Sequence, residues 1–282
     1  MENKVLIIGA DGMLGHDLVD AFSDHNLVAW DKKEIDITDE KQVMEKIGQL
    51  NPALIINAAA YTDVDKAETE EDLAMAVNAT GVLNLALAAK AVSAILVHYS
   101  TESVFDGRKK EGYKELDQTS PVNVYGRSKT RGEELLQNNY DKFYIIRSSW
   151  LYGKAPQKGK ARGLNFVETM LKLAKERDEI NVVNDQFGKP TWTHDLAIMS
   201  KELIKEMRPY GIYHITNEGE CSWYDFAKKI FELSNINIKV NPISSEEYEF
   251  KTPRPKSSVL LNTKFDQLRS WQEALAEYLK LP

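Results

Sequence analysis

The sequence predicts an α/β fold, a doubly wound parallel sheet carrying a smaller lobe, and two features of the first half lead there. Short apolar runs recur: VLII (5–8), LVAW (27–30), ALIIN (53–57), AILVHYS (94–100) and KFYIIRS (142–148). Stretches of helical character lie between them, near 13–22, 40–49 and 72–91 and from about 122. A strand that met water on one face would alternate apolar with polar residues. Continuous apolar strands, each followed by a helix, instead mark a parallel sheet covered on both faces.

The first strand runs directly into Gly9-Ala-Asp-Gly12-Met-Leu-Gly15, and a helix follows. That order meets the context required of a dinucleotide-binding turn in a Rossmann-type sheet. Gly9 permits a tight turn, Gly12 lets backbone approach a pyrophosphate, and Gly15 lets the helix pack closely on the strand. The helix N-terminus offers free N–H groups to the phosphates. Asp31, at the end of the second strand, is placed to meet the adenosine ribose. Its carboxylate favours the 2′-hydroxyl of NADH, whereas Lys32 and Lys33 beside it suit the extra phosphate of NADPH, so both cofactors stay open. Asp36 and Ile37 stand where they would border the adenine, or form a polar turn.

The second half is less regular. KAPQKGKARG (154–163) is a basic loop, read either as a clamp on a diphosphate or as a solvated loop. A helix near 165–176, strands near 180–183 and 211–216, a helix over 221–234 and a last helix from Trp271 follow. The expected organisation is a dinucleotide-binding domain over 1–150, with segments near 180–216 returning to it, and a substrate-binding lobe from 151–179 and 217–282.

At 282 residues, 43% hydrophobic and 28% charged, the chain has ordinary globular composition. A net charge of -7 argues against nucleic acid as a partner, because phosphate backbones require a basic face. The single Cys221 cannot form an internal disulfide and suits a reducing compartment. The apolar run before the first glycines is too short for a signal peptide. The most apolar stretch, VLNLALAAKAVSAILVHY, is interrupted by Asn84 and Lys90 and reads as a buried helix entering a strand. A cytoplasmic protein with no membrane partner is expected.

Two Tyr-x-x-x-Lys pairs are present, Tyr125 with Lys129 and Tyr224 with Lys228. On a helix either pair shares one face. A phenol that donates a proton at neutral pH needs a cation nearby to lower its pKa and a hydroxyl to orient the proton. Ligands of open α/β sheets sit at the strands' carboxyl ends. Ser100 and Thr101 lie at such an end, one loop before Tyr125. Tyr224 has no such strand before it, so its expected role is packing.

The glycine pattern, the strand-end Ser/Thr and the Tyr125–Lys129 helix together resemble the extended short-chain dehydrogenase/reductase family. Within it, NAAAYTDVDKAE (57–68), VNATGVLNLA (77–86), VFDG (104–107), VYGRSK (124–129), RSSWLYG (147–153), NFV (165–167), PTWTHDLA (190–197) and RPKSSVL (254–260) resemble the dTDP-4-dehydrorhamnose reductases. The resemblance implies reduction of the 4-keto group of a dTDP-linked 6-deoxy sugar by NADPH or NADH. It implies that Tyr125 protonates the keto oxygen, that Lys129 holds the nicotinamide ribose and lowers the phenol's pKa, and that Thr101 orients the phenol. Gly12, Met13 and Leu14 would lie along the pyrophosphate, and Ala58, Ala59, Ala60 and Tyr61 along the cofactor's edge. Trp150 would pack on the sugar ring, and Arg254, stiffened by its prolines, would meet the substrate's diphosphate. No metal is assigned, and the resemblance allows a homodimer.

At the fourth strand the chain departs from the family. STESVFDG places Glu102 and Ser103 where Asp-Tyr is usual, which bears on substrate contacts rather than on hydride chemistry. Two alternatives follow: another sugar-nucleotide epimerase or dehydratase, or a non-catalytic subunit resembling the regulatory subunit of methionine adenosyltransferases.

Overall fold

The computed structural model describes residues 4–158 and 163–281. The first half alternates as expected through β1 (Lys4–Ile8), α1 (Met13–Ala21), β2 (Asn26–Trp30), α2 (Glu40–Leu50) and β3 (Leu54–Asn57). Short α3 (Val64–Ala67) and α4 (Glu71–Met75) come next, and α4 passes through one π turn (Ala76–Thr80) into α5 (Gly81–Val92). Then follow β4 (Ile95–Thr101), a 3-10 turn (Glu102–Val104), α6 (Val124–Asn139) and β5 (Phe143–Ser148). Beyond them lie β6 (Leu151–Tyr152), α7 (Phe166–Glu176), β7 (Glu179–Val183), β8 (Phe187–Gly188), β9 (Thr191–Trp192) and α8 (Thr193–Lys205). The chain ends through β10 (Gly211–His214), β11 (Cys221–Ser222), α9 (Trp223–Leu233), β12 (Lys239–Ile243) and α10 (Trp271–Tyr278).

Six strands form one sheet in the order β10-β5-β4-β3-β1-β2, and all of their pairings are parallel. From β1 the chain first moves outward to β2, then crosses back to place β3 on the other side of β1. This reversal opens a crevice at the carboxyl ends of β1 and β3, the usual ligand position in an open α/β sheet.

The alternating side chains of these strands feed two cores. Leu6, Ile8, Ile55, Leu96 and Ile145 point to one face, where Val43 and Ile47 of α2, Val82 and Leu85 of α5 and Leu136 of α6 cover them. Val5, Ile7, Ile56, Val97 and Ile146 point to the other, under Leu14 and Leu18 of α1 and Leu196 and Leu203 of α8. Each such side chain removed from water contributes about 1.5–3 kcal/mol. The helical run Glu71–Val92 is long and apolar enough to cross a membrane by length and composition. Here its α5 portion is core, with Val82, Leu85, Ala86 and Ala89 fully buried.

A third core, built on Tyr152, Val167, Ile180, Val182, Trp192, Phe226, Ile230, Trp271 and Leu275, forms the smaller lobe. The stretch near 180–216, expected to return to the sheet, divides instead. Strand β7 pairs in parallel with β12, and Ile180 and Val182 enter the lobe core. Only α8 and β10 join the large sheet, α8 on its face and β10 at its edge. Alternate residues of β7 are exposed, so one of its faces meets solvent, whereas the large sheet is covered on both.

Candidate active site

Gly9 follows β1 with φ 81°, in the left-handed region that glycine occupies without strain. A Cβ there would press on the backbone of Ala58 and Ala59 beyond β3, and one at Gly15 would run into the Gly9 carbonyl. The two strand ends are thus drawn together at the crevice. Helix α1 has Gly12 as its N-cap, with no side chain bonded to its first N–H groups and no acid in its first turn. An uncapped, positive helix end beside a backbone-lined turn fits a cofactor pyrophosphate.

The end of β2 is acidic with a cation laid over it. Asp31 accepts hydrogen bonds from Lys32 N (2.6 Å) and Asp11 N (3.1 Å). Lys158, from the basic loop, reaches Asp11 at 3.0 Å and Asp31 at 3.5 Å. Burial alone would raise the Asp31 carboxyl, but these N–H donors and the ammonium hold it below its usual range. The loop's residues 159–162 lie outside the described residues. Asp36 is occupied in a turn, accepting from Thr38 N and Oγ1 at 3.0 and 2.7 Å, and Ile37 is buried with its side chain against Gly81. The bonds seen here are thus those of a polar turn.

After β3, the loop carrying Ala58 to Tyr61 is pinned by Asn78. Its Oδ1 accepts from Tyr61 N at 2.9 Å, and its Nδ2 donates to Tyr61 O and to Ser128 Oγ on α6, both at 3.0 Å. The π turn carries Asn78, and π turns often mark such irregular, site-forming positions. The Tyr61 hydroxyl donates to Glu70 at 2.7 Å, and burial and that carboxylate push its phenol up to about 12.

At the carboxyl end of β4, Thr101 caps the 3-10 turn by accepting from Ser103 N at 3.1 Å and donates its own hydroxyl to Glu102 at 2.8 Å. Asn123 caps α6 through Gly126 N at 2.8 Å. Gly126 lets α6 lie directly on the Ser103 carbonyl, a contact that no larger residue permits. The Tyr125 phenol is thereby brought beside Thr101 and Glu102. Burial, then the Glu102 charge, drive it well above its ordinary value, while a hydrogen bond with Thr101 opposes them. Sequence reading expected the phenol to be lowered by Lys129. In this structure the lysine is directed elsewhere: Nζ donates to Tyr99 O at 2.6 Å and lies 3.4 Å from His98 Nε2. Burial lowers Lys129 itself to about 8, against the opposing charge of Glu133. Burial pushes Glu102 up to about 7, with the Thr101 bond opposing.

Trp150, just past β5, holds the left-handed backbone conformation at φ 47°. A non-glycine residue there is uncommon and tends to occur where function dictates geometry. Its ring stacks on Trp223 at 3.6 Å and 10°, and lies so close to Gly188 that a Cβ at that position would strike it. Both tryptophans are partly buried and pack against the lobe core. Arg254 donates to Asp65 at 2.8 Å, and its Nη1 is buried without a partner. The second pair behaves differently: the Lys228 ammonium lies 5.4 Å over the Tyr224 ring, and both residues sit on α9, whose buried face enters the lobe core.

Residues 3–281 match the family model described as RmlD substrate binding domain. The chain belongs to this family. Among its relatives, dTDP-4-dehydrorhamnose reductase of Aggregatibacter actinomycetemcomitans is 42% identical over 96% of this chain and 97% of that one. Spore coat polysaccharide biosynthesis protein SpsK of Bacillus subtilis is 41% identical over 98% and 97%. The crystal structure of dTDP-4-dehydrorhamnose reductase from Bacillus anthracis in complex with NADP superposes with a TM-score of 0.93, at 43% identity and 99% coverage of both chains.

In this member of the RmlD family, Asn57, Asn78, His98 and Trp223 join the surroundings of the site through contacts that their sequence motifs do not specify. A histidine inside the otherwise apolar AILVHYS strand was the available signal for His98, since a buried polar residue demands a partner. Asn78 stands inside the VNATGVLNLA stretch, but its part in pinning the loop was hidden, because a π turn has no sequence pattern of its own.

Proposed function

We propose that the chain reduces the 4-keto group of a dTDP-linked 4-keto-6-deoxy sugar, with hydride supplied by NADPH or NADH. The observation that carries this reading is the Tyr125 phenol beside Thr101 at the carboxyl end of β4, two strands from the glycine turn. Full-length relatives named dTDP-4-dehydrorhamnose reductase support the substrate class. The bound nicotinamide supplies a hydride to the sugar C4. The chain's own residues do the rest. Tyr125 gives its phenolic proton to the keto oxygen, and Thr101, held by its bonds to Glu102 and Ser103 N, lies beside the phenol and fixes its position. Lys129 holds the nicotinamide ribose and, once it turns toward the phenol, favours the phenolate.

Gly9, Gly12, Met13, Leu14 and Gly15 receive the pyrophosphate. Asp31 meets the adenosine ribose, Asp36 and Ile37 border the adenine, and Ala58, Ala59, Ala60 and Tyr61 line the cofactor's edge. Glu102, Ser103, Trp150 and Arg254 contact the substrate, with the Arg254 guanidinium, now donating to Asp65, meeting its diphosphate. Residues 1–150 with α8 and β10 form the cofactor unit, and the remainder forms the substrate lobe. The buried Cys221 and the acidic composition suit a cytoplasmic enzyme.

The test is a substrate panel: dTDP-4-keto-6-deoxy-L-mannose with NADPH, then with NADH, following absorbance of the reduced cofactor. Turnover is expected. Normal cofactor affinity without turnover would favour the non-catalytic, cofactor-reading alternative.

A further inference from the structure

We propose that His98 is a positioning residue for Lys129, locked in the tautomer that carries its proton on Nε2, so that it turns an N–H rather than a lone pair toward the lysine amine. The proposal rests on the role given to Lys129 above. The constraint begins at the cofactor edge, where Ala59 N donates to Asn57 Oδ1 at 3.1 Å. That bond fixes the amide oxygen on one side and leaves Asn57 Nδ2 facing His98 Nδ1 at 3.1 Å. An amide nitrogen offers only hydrogens, so Nδ1 must accept, and the proton of a neutral imidazole falls on Nε2. Reversing the amide would set donor against donor at Ala59. Asn57 is 1% exposed, so no solvent relieves that conflict. The imidazole is neutral: complete burial, then the charge of Lys129, hold it well below its usual value.

Lys129 Nζ lies 3.4 Å from Nε2 and donates to Tyr99 O at 2.6 Å. The carbonyl is satisfied by one N–H of either an ammonium or an amine. The imidazole N–H is satisfied only by the lone pair of an amine. Other charged or titratable groups around the site do not cancel this preference. Glu133 on α6 favours the ammonium, but Arg147 of β5 already holds it at 2.9 and 2.6 Å. Tyr125, one helical turn before Lys129, carries a raised phenol and stays neutral, and the Glu102 charge bears on Tyr125. With a midpoint near 8 the lysine is mostly ammonium at neutral pH, and the imidazole N–H favours the fraction that is amine.

Nitrogen NMR of the protein without cofactor or substrate tests this with no turnover involved. The His98 ring is expected to show protonation at Nε2, and Lys129 Nζ to titrate with a midpoint near 8. Asn57→Ala frees the ring to move its proton to Nδ1 and accept from Lys129, so the lysine midpoint should rise by about one pH unit. His98→Phe, which keeps the burial but removes the N–H, should shift it the same way. A wild-type ring protonated at Nδ1 would overturn the assignment, even if both variants failed to fold. So would an unchanged lysine midpoint in folded Asn57→Ala. These readouts are taken without turnover, so their failure and the failure of the proposed reductase activity are distinguishable.

Discussion

Tyr125 starts as a reluctant acid, because burial and a neighbouring carboxylate both favour the protonated phenol. Removing its hydroxyl in Tyr125→Phe should lower kcat by about 10²–10⁴-fold and leave cofactor affinity near wild type. A drop of less than tenfold in single-turnover rate would take the proton-donor role away from this residue. Glu102 adds a pH dependence whose sign follows from its shift. Burial raises its carboxyl from 4.5 to about 7, so the folded protein keeps a proton that the unfolded chain releases. The associated stability is complete below about 4.5 and is lost as pH rises through about 7. Urea unfolding across this window should show wild type losing stability relative to Glu102→Gln as pH rises. The same ionisation raises the Tyr125 phenol, so kcat should fall as pH passes about 7, and Glu102→Gln should flatten that limb. Identical pH profiles for the two proteins would show that Glu102 does not reach the donor.

Helix α6 is placed by small contacts that tolerate little change. Gly126 rests on the Ser103 carbonyl and Gly132 on the Asn78 carbonyl, so a side chain would lift the helix from the 3-10 turn at the first and from the π turn at the second. Gly126→Ala should destabilise by about 1–3 kcal/mol through overpacking and weaken catalysis by displacing Tyr125; a wild-type Tm with wild-type kcat would contradict this placement. Below the helix, Arg147 and Glu133 form a pair with both side chains 2% exposed. Glu133→Gln leaves the guanidinium charge uncompensated and should cost about 3–5 kcal/mol in equilibrium unfolding. The strands of the first half were legible because each is a short continuous apolar run, and the helices because of the helical stretches between those runs. The Tyr125–Lys129 helix was legible because its spacing fixes one face. The direction of the Lys129 side chain was not, since its partner is a backbone carbonyl, which every residue possesses. The raised Tyr125 phenol was hidden for a similar reason: burial depends on what packs around a residue, and spacing is silent on that.

At the scale of the molecule, the sheet is read from local pattern, whereas the smaller lobe is assembled from distant segments. The lobe's parallel β7–β12 pair joins residues some sixty positions apart, and no local signal announces such a partner. The Trp150–Trp223 stack likewise joins the end of β5 to the start of α9. Trp223→Ala should raise KM for the sugar nucleotide with a smaller effect on kcat, because the platform binds ground and transition states alike. A fall confined to kcat would move Trp223 out of the binding face. The proposed reduction requires the Tyr125 phenol to protonate a keto sugar that a nicotinamide held at the glycine turn reduces. The most direct measurement combines purified protein, NADPH and dTDP-4-keto-6-deoxy-L-mannose, with Tyr125→Phe alongside. Wild type is expected to oxidise one cofactor per sugar reduced while the variant binds NADPH and stays nearly silent; equal rates in the two proteins, or bound NADPH with no oxidation in wild type, would contradict the account.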